Sequence, residues 1–226
     1  MNLCEIKRTI PPEYANFKLD DMLGDSIVID PIKSVLTSYI KNSAVNEQNG
    51  VGLLLMGRMP GNGKTYSAYH VLSEINKERI KWDRLTNQLT RGYTSIVSVL
   101  ASDYLKYCNR FEDGIISQIQ YVLQCPFLLL DDLSADAFKN NLLSGQVDLF
   151  SLVDYRVSYN LPTIYTSNCD TVDELKKLTG PKLFDRIKYK TTVVNFSGPS
   201  VRPIITDQLN REINDKLVNE VLERGE

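Results

Sequence analysis

Apolar and polar positions follow two distinct patterns along this chain. Five short segments have the continuous or alternating apolar pattern of strands: 51–56, 95–100, 126–130, 163–166 and 191–196. Six segments have helical spacing: 31–41, 65–79, 102–110, 146–158, 172–178 and 207–224. Because helical segments separate the strands, the pattern predicts an α/β fold with a parallel sheet, right-handed crossovers and helices on both faces.

The same pattern suggests three consecutive regions. Residues 1–25 are polar and contain Pro11-Pro12, so we interpret them as a lead-in. Residues 26–202 contain the alternating strands and helices and are predicted to form one domain, with 42–50 as a polar turn. Residues 203–226 are predicted to be a C-terminal helix. We find no internal repeat.

The first strand leads into a glycine-containing loop that opens a helix, and residues 57–65 read G-R-M-P-G-N-G-K-T. Backbone N–H groups of such loops converge on phosphate oxygens, and the helix N-terminus adds positive potential. The predicted ATP-binding residues are Pro60, Gly61, Asn62, Gly63, Lys64 and Thr65. Lys64 would neutralise the β- and γ-phosphates and Thr65 would bind Mg²⁺.

One position departs from the phosphate-loop pattern G-x-x-x-x-G-K-[ST]. Arg58 stands where the first glycine is expected, and Gly57 lies one residue earlier. Either the loop has one extra residue, or Arg58 itself adopts the turn. A glycine-rich turn with an exposed lysine is the simpler alternative for the whole segment.

Two carboxylates follow the third apolar strand. Asp131 and Asp132 end the run 127–132, and the carboxyl ends of parallel strands border the ligand crevice. Asp131 is predicted to hold Mg²⁺ through water, and Asp132 to polarise the attacking water. Alternatively, the two acids only end the strand and cap the next helix.

From residue 51 to residue 202 the order of these motifs resembles the DnaC/DnaI/IstB branch of the AAA+ ATPases, which are P-loop proteins of the ASCE type. Residues 161–168, L-P-T-I-Y-T-S-N, resemble that branch's sensor 1 strand, which implies that Asn168 positions the water against the γ-phosphate. Residues 183–187, L-F-D-R-I, resemble the arginine-finger segment, which gives that role to Arg186. Residues 196–202, F-S-G-P-S-V-R, resemble the closing stretch, which gives the sensor 2 role to Arg202.

The resemblance implies an AAA+ domain with a reduced or absent lid and with the lead-in near the nucleotide base, since residues 10–14 look like the usual start of this domain. It implies an ATPase that uses ATP and Mg²⁺, self-assembles head to tail on single-stranded DNA and delivers a replicative helicase. Because the second acid is an aspartate, hydrolysis is expected to be slow. The helix 207–224 is the expected helicase contact, because only about a dozen residues precede the domain.

Two other functions stay open at this point. An IstB-like transposition helper would have the same core motifs and differ in its partner. A small-molecule P-loop kinase would need an arginine-rich lid and an acceptor site, and the segments around Asn168 and 196–202 argue against it.

Charge and cysteine content add limits. The net charge is −2, so DNA binding would need a local patch. For that patch we favour Phe138 and Lys139 over the tyrosine-containing helix 101–112, whose rings at helical spacing are more often core. Four scattered cysteines, no apolar run long enough for a membrane and no signal sequence predict a cytoplasmic protein.

Two further residues have less specific predictions. Arg156 is expected either at a subunit interface or in a surface salt bridge. His70 is expected to be a partly buried helix residue.

Overall fold

A computed structural model of the chain describes residues 10–86, 97–108, 113–138 and 142–208, together with 210, 211 and 213. The five strands are β1 (Gly52–Met56), β2 (Val97–Leu100), β3 (Leu128–Asp131), β4 (Thr163–Ser167) and β5 (Thr191–Asn195). The helices before β3 are α1 (Pro12–Ala15), α2 (Ser26–Lys41), α3 (Ser43–Asn49), α4 (Lys64–Thr86), α5 (Ala101–Cys108) and α6 (Asp113–Gln124), with a 3-10 turn at Leu19–Asp21. Those after β3 are α7 (Ala135–Phe138), α8 (Leu142–Ser158), α9 (Val172–Thr179) and α10 (Pro181–Lys188).

The strands form one sheet in the order β2-β3-β4-β1-β5, and every pair is parallel. Alternate residues of β1 enter different cores: Leu54 and Met56 pack with α5, α6 and α8 to α10, whereas Leu53 and Leu55 pack with α2 and α4. The sheet is therefore covered on both faces, which explains the unbroken apolar runs of its central strands. The predicted α/β fold is confirmed.

Several predicted boundaries are wrong, for local reasons. Helix α2 begins at Ser26 and contains Pro31, because the Asp25 carboxylate accepts from Ile27 N at 3.0 Å and caps the helix earlier. The predicted polar turn 42–50 is mostly helix α3, which ends at Gly50 with φ +68°. Helices α6, α7 and α10 were not predicted from the sequence.

Beyond β5, residues 202–208 are helical. Most of the predicted C-terminal helix 207–224 lies outside the described residues. Within the described part of the chain, no helix combines the length and the apolarity needed to cross a membrane.

Arg156 is fully buried, so both of its predicted surface positions are wrong. Its guanidinium donates to carbonyl oxygens at the end of α6 and before β4, including Val122 O at 3.0 Å and Pro162 O at 2.7 Å, and to Thr163 Oγ1 at 2.8 Å. Burial lowers the pKa of this guanidinium. Arg156 therefore joins three chain segments from inside the core.

Candidate functional site

The loop between β1 and α4 is closed by its own lysine. Lys64 is buried, and its ammonium donates to Gly57 O at 2.7 Å, to Met59 O at 3.1 Å and to Asn62 Oδ1 at 2.9 Å. Gly61 and Gly63 have φ of +79° and +98°, the left-handed region that favours glycine. The loop thus holds the Lys64 ammonium at the start of α4, where the N-terminus of a helix favours a phosphate group.

The departure from the motif lies at Gly57 and Arg58. Gly57 directly follows β1, and its N–H donates to Ser167 O at 3.2 Å. A Cβ there would lie 2.3 Å from Phe196 O, so this position has no room for a side chain. Arg58 does not have a positive φ. Its exposed side chain instead bonds Glu174 Oε1 of α9 through Nη2 at 2.8 Å.

Asp131 lies directly beside the first residues of α4. Its Oδ1 accepts from Thr65 Oγ1 at 3.1 Å and also from Thr166 Oγ1 of β4. The register Leu130↔Tyr165 makes Asp131 and Thr166 neighbours at the ends of their strands. Mg²⁺ prefers oxygen ligands from carboxylates and hydroxyls, so the pair Thr65 and Asp131 fits that ion.

Asp132 turns away from the strand direction. Its φ is +58°, uncommon for a residue with a side chain, and its N–H donates to Thr166 Oγ1 at 2.9 Å. Its carboxylate accepts from Asn168 Nδ2 at 3.1 Å and from Ser134 Oγ at 3.2 Å. The structure therefore brings Asp132 and Asn168 together at the carboxyl edge of the sheet.

The segment 196–202 lies across the phosphate loop. Phe196 N donates to Met56 O at 2.6 Å, Asn62 Nδ2 donates to Phe196 O at 2.9 Å, and Val201 N donates to Gly61 O at 3.0 Å. A Cβ on Gly61 would lie 2.9 Å from Arg202 Cδ. Arg202 is therefore adjacent to the loop.

The pKa of Lys64 reflects its burial and the charges of the acids and the arginine around it. Burial lowers the pKa of its ammonium to about 8, the charges of Asp132 and Asp131 oppose that change, and the charge of Arg202 adds to it. A bound phosphate group would offset the repulsion between the positive charges of Lys64 and Arg202.

Arg186 lies on α10 and is not part of this cluster of contacts. Its Nε bonds Asp154 Oδ1 of α8 at 2.6 Å, and both side chains are about two-fifths exposed, at 41% and 38%. Within the described residues its charge thus faces a carboxylate of its own subunit.

The lead-in packs on α4. The Tyr14 ring stacks on Tyr69 with centroids 4.5 Å apart and meets Tyr66 edge-on at 4.6 Å. His70 is partly buried, as predicted, with Nδ1 3.0 Å from Phe17 O. Burial, followed by the Glu13 carboxylate, raises the pKa of Tyr14.

The predicted DNA-binding residues lie at the edge of the described part of the chain. Phe138 is the last residue of α7, its side chain lies outside the described part, and so does Lys139 altogether. Tyr104 of the alternative helix is 3% exposed and belongs to the core.

Sequence reasoning missed three members of the site. Thr166 bonds both acids, Ser134 holds Asp132, and Glu174 holds Arg58. Small polar residues at strand ends and at the start of a helix are common, so no sequence signal distinguished them. Only the neighbouring positions of β3 and β4, known from the strand order, make Thr166 a partner of Asp131.

A five-stranded parallel sheet with a glycine-containing loop and a lysine after β1, two acids at the end of β3 and an asparagine after β4 is the arrangement of the AAA+ fold. Many solved structures share that fold, and three of them illustrate the likeness. The DnaC helicase loader superposes with a TM-score of 0.66 at 19% identity, over 83% of this chain and 100% of that one. DnaI gives 0.62 at 20% identity, over 85% and 94%.

The third structure is the replication initiator DnaA bound to AMPPCP and single-stranded DNA, with a TM-score of 0.58 at 16% identity, over 89% of this chain and 56% of that one. No protein-family model matches the chain. No curated protein matches it by sequence either.

Proposed function

We propose that this protein is an ATP-dependent helicase loader of DNA replication. The observation that carries the proposal is the meeting of Lys64, Thr65 and Asp131 at one loop, with Asp132 and Asn168 bonded beside them. The similarity of fold to the DnaC helicase loader and to DnaI supports the choice of loader among AAA+ functions.

In the proposed mechanism the phosphate loop binds the triphosphate of ATP. On binding, the Lys64 ammonium exchanges the carbonyls of Gly57 and Met59 for phosphate oxygens, which carry more negative charge. Thr65 and Asp131 would hold Mg²⁺, whose chemistry is to neutralise the phosphate charge. Pro60, Gly61, Asn62 and Gly63 shape the loop around the phosphates.

Asp132 and Asn168 act on the attacking water. The Asp132 carboxylate accepts a hydrogen bond from the water. The Asn168 amide holds that carboxylate and orients the water toward the γ-phosphate. Asp132 is one carbon shorter than glutamate and is also held by Ser134, so hydrolysis is expected to be slow.

Two arginines supply charge where it develops during hydrolysis. Arg202 does so within the subunit, since it borders Gly61. Arg186 does so in the next subunit of a head-to-tail assembly, after leaving Asp154. Single-stranded DNA is the proposed scaffold of that assembly, with Phe138 and Lys139 as its proposed contacts.

The loader hypothesis is tested with the helicase itself. The purified protein is mixed with the hexameric replicative helicase of the cells in which it occurs. Complexes are separated by size-exclusion chromatography with Mg²⁺ and either ATP or ADP. Asp132→Asn should keep ATP bound, reduce phosphate release at least about a hundredfold, and accumulate the helicase complex. Lys64→Ala should bind neither nucleotide and form no ATP-dependent complex.

The transposase of an insertion element is the parallel partner to test. An ATP-dependent complex with transposase and none with helicase would replace the loader by an IstB-like helper. Parental phosphate release by Asp132→Asn would remove Asp132 from the mechanism.

A further inference from the structure

Arg58 is the residue of the phosphate loop that the motif does not explain. It stands where the motif has its first glycine, and the ammonium of Lys64 bonds the carbonyls on either side of it, at Gly57 and Met59. The Arg58 backbone therefore borders the position where Lys64 meets phosphate. No other arginine precedes Lys64 in the loop 57–63.

The present partner of Arg58 is a weak one. Its side chain is 65% exposed and bonds Glu174, whose side chain is 41% exposed, with the Asp170 carboxylate at a longer distance of 3.8 Å. Exposed ion pairs contribute little because water screens them and two long side chains lose freedom. A phosphate oxygen that arrives nearby would be a stronger acceptor for the same donor, and guanidinium binds phosphate in a planar, two-bond geometry.

Glu174 has a second contact that stays intact when Arg58 leaves. Its Oε2 accepts from Asp170 N at 2.9 Å, and its own N–H donates to Thr171 Oγ1 at 3.2 Å at the start of α9. These bonds hold the turn that follows Asn168. Glu174 is thus a fixed resting partner, whereas the long arginine side chain is the movable member of the pair.

We propose that Arg58 is a γ-phosphate ligand that exchanges Glu174 for ATP, so that this loop discriminates ATP from ADP within its own subunit. The inference rests on the proposed nucleotide site. It adds a third arginine to that site, distinct from Arg186 and Arg202, and gives the chain's departure from the phosphate-loop pattern a function.

The test compares two nucleotides. Affinities for AMPPCP, a non-hydrolysable triphosphate, and for ADP are measured with Mg²⁺ by displacement of a fluorescent nucleotide from the full chain. Arg58→Ala should weaken AMPPCP binding about tenfold and change ADP binding less than about twofold, since a lost charged hydrogen bond is worth about one decade. Glu174→Gln should strengthen AMPPCP binding several-fold, because the resting partner is weakened while the amide oxygen still accepts from Asp170 N.

The double variant separates exchange from general electrostatics. In Arg58→Ala/Glu174→Gln the gain from Glu174→Gln should disappear, because no arginine remains to be released. Asp173→Asn, which neutralises an exposed acid of the same helical turn, should leave the AMPPCP-to-ADP ratio at the parental value.

Two results overturn the inference: an equal effect of Arg58→Ala on both nucleotides or on neither, or a gain from Glu174→Gln that persists without Arg58. Failure of the parental protein to bind either nucleotide would instead remove the nucleotide site itself.

Discussion

At the scale of single residues, we expect Lys64 to determine how the proposed nucleotide binding depends on pH. Its pKa in the free protein is about 8, so above that pH the free protein holds a neutral amine. A phosphate favours the charged form and raises the pKa, so binding takes up a proton at high pH. Affinity for Mg²⁺-ATP should therefore be level below about pH 8 and fall toward tenfold per pH unit above it.

This pH dependence is measured by titrating a fluorescent ATP analogue between pH 7.5 and pH 9.5. Calorimetry in two buffers of different ionisation enthalpy would count the proton taken up. Lys177→Met, which removes an exposed lysine of α9, should keep the parental profile. A flat profile in the parental protein would contradict the lowered pKa.

At the scale of elements, substitutions of two glycines test the contact between the phosphate loop and the segment 196–202. Gly61→Ala forces a left-handed residue and sets a Cβ 2.6 Å from Ser200 Oγ, whereas a Cβ on Gly198 meets nothing within 4 Å. Gly61→Ala should lower the free energy of unfolding by about 1–3 kcal/mol and weaken ATP binding about tenfold or more. Gly198→Ala should change both properties little.

Thermal denaturation and nucleotide titration of the two variants check this prediction. Equal behaviour of the two alanine variants would mean that the segment 196–202 does not pack on the loop as described.

The sequence predicted the elements that have a clear hydrophobic pattern or a motif. It did not predict features that depend on contacts between distant residues. Strands β1, β3 and β4 are fully buried, so their apolar runs were unambiguous. Helix α3 is polar and exposed, and its end at Gly50 resembles an ordinary turn. The buried position of Arg156 depends on carbonyls from α6 and the residue before β4, which no local pattern reveals.

For the candidate site, the loop, the two acids and Asn168 were predictable from the sequence, because strand ends on one edge of a parallel sheet must converge. The fold brings these residues together as the sequence suggested. Their proposed roles in binding and hydrolysis stay predictions. The Arg58–Glu174 pair could not be predicted, since its members are 116 positions apart and neither belongs to the motif.

At the scale of the whole molecule, Arg186 is proposed to act in a neighbouring subunit. Arg186→Ala and Lys64→Ala should each hydrolyse ATP poorly alone, whereas an equal mixture should recover part of the activity. A mixed interface can combine an intact phosphate loop with an intact arginine. Phosphate release and light scattering, with ATP and single-stranded DNA, measure turnover and assembly.

Lys182→Ala, on the exposed face of the same helix, is the control and should hydrolyse ATP at the parental rate. Full activity of Arg186→Ala by itself would mean that Arg186 only forms a salt bridge with Asp154.

The buried guanidinium of Arg156 affects how genetic screens of this protein should be interpreted. A survey of substitutions scored by cell growth would rank Arg156 beside Lys64, because shortening either side chain disables the protein. The causes are expected to differ. Loss of Arg156 would remove its bonds to the carbonyls of Val122, Cys125 and Pro162 in the core, so the protein should be degraded, whereas a Lys64 variant should accumulate in folded form. Scoring cellular abundance beside growth would separate the two positions and keep Arg156 off a map of the proposed ATP site.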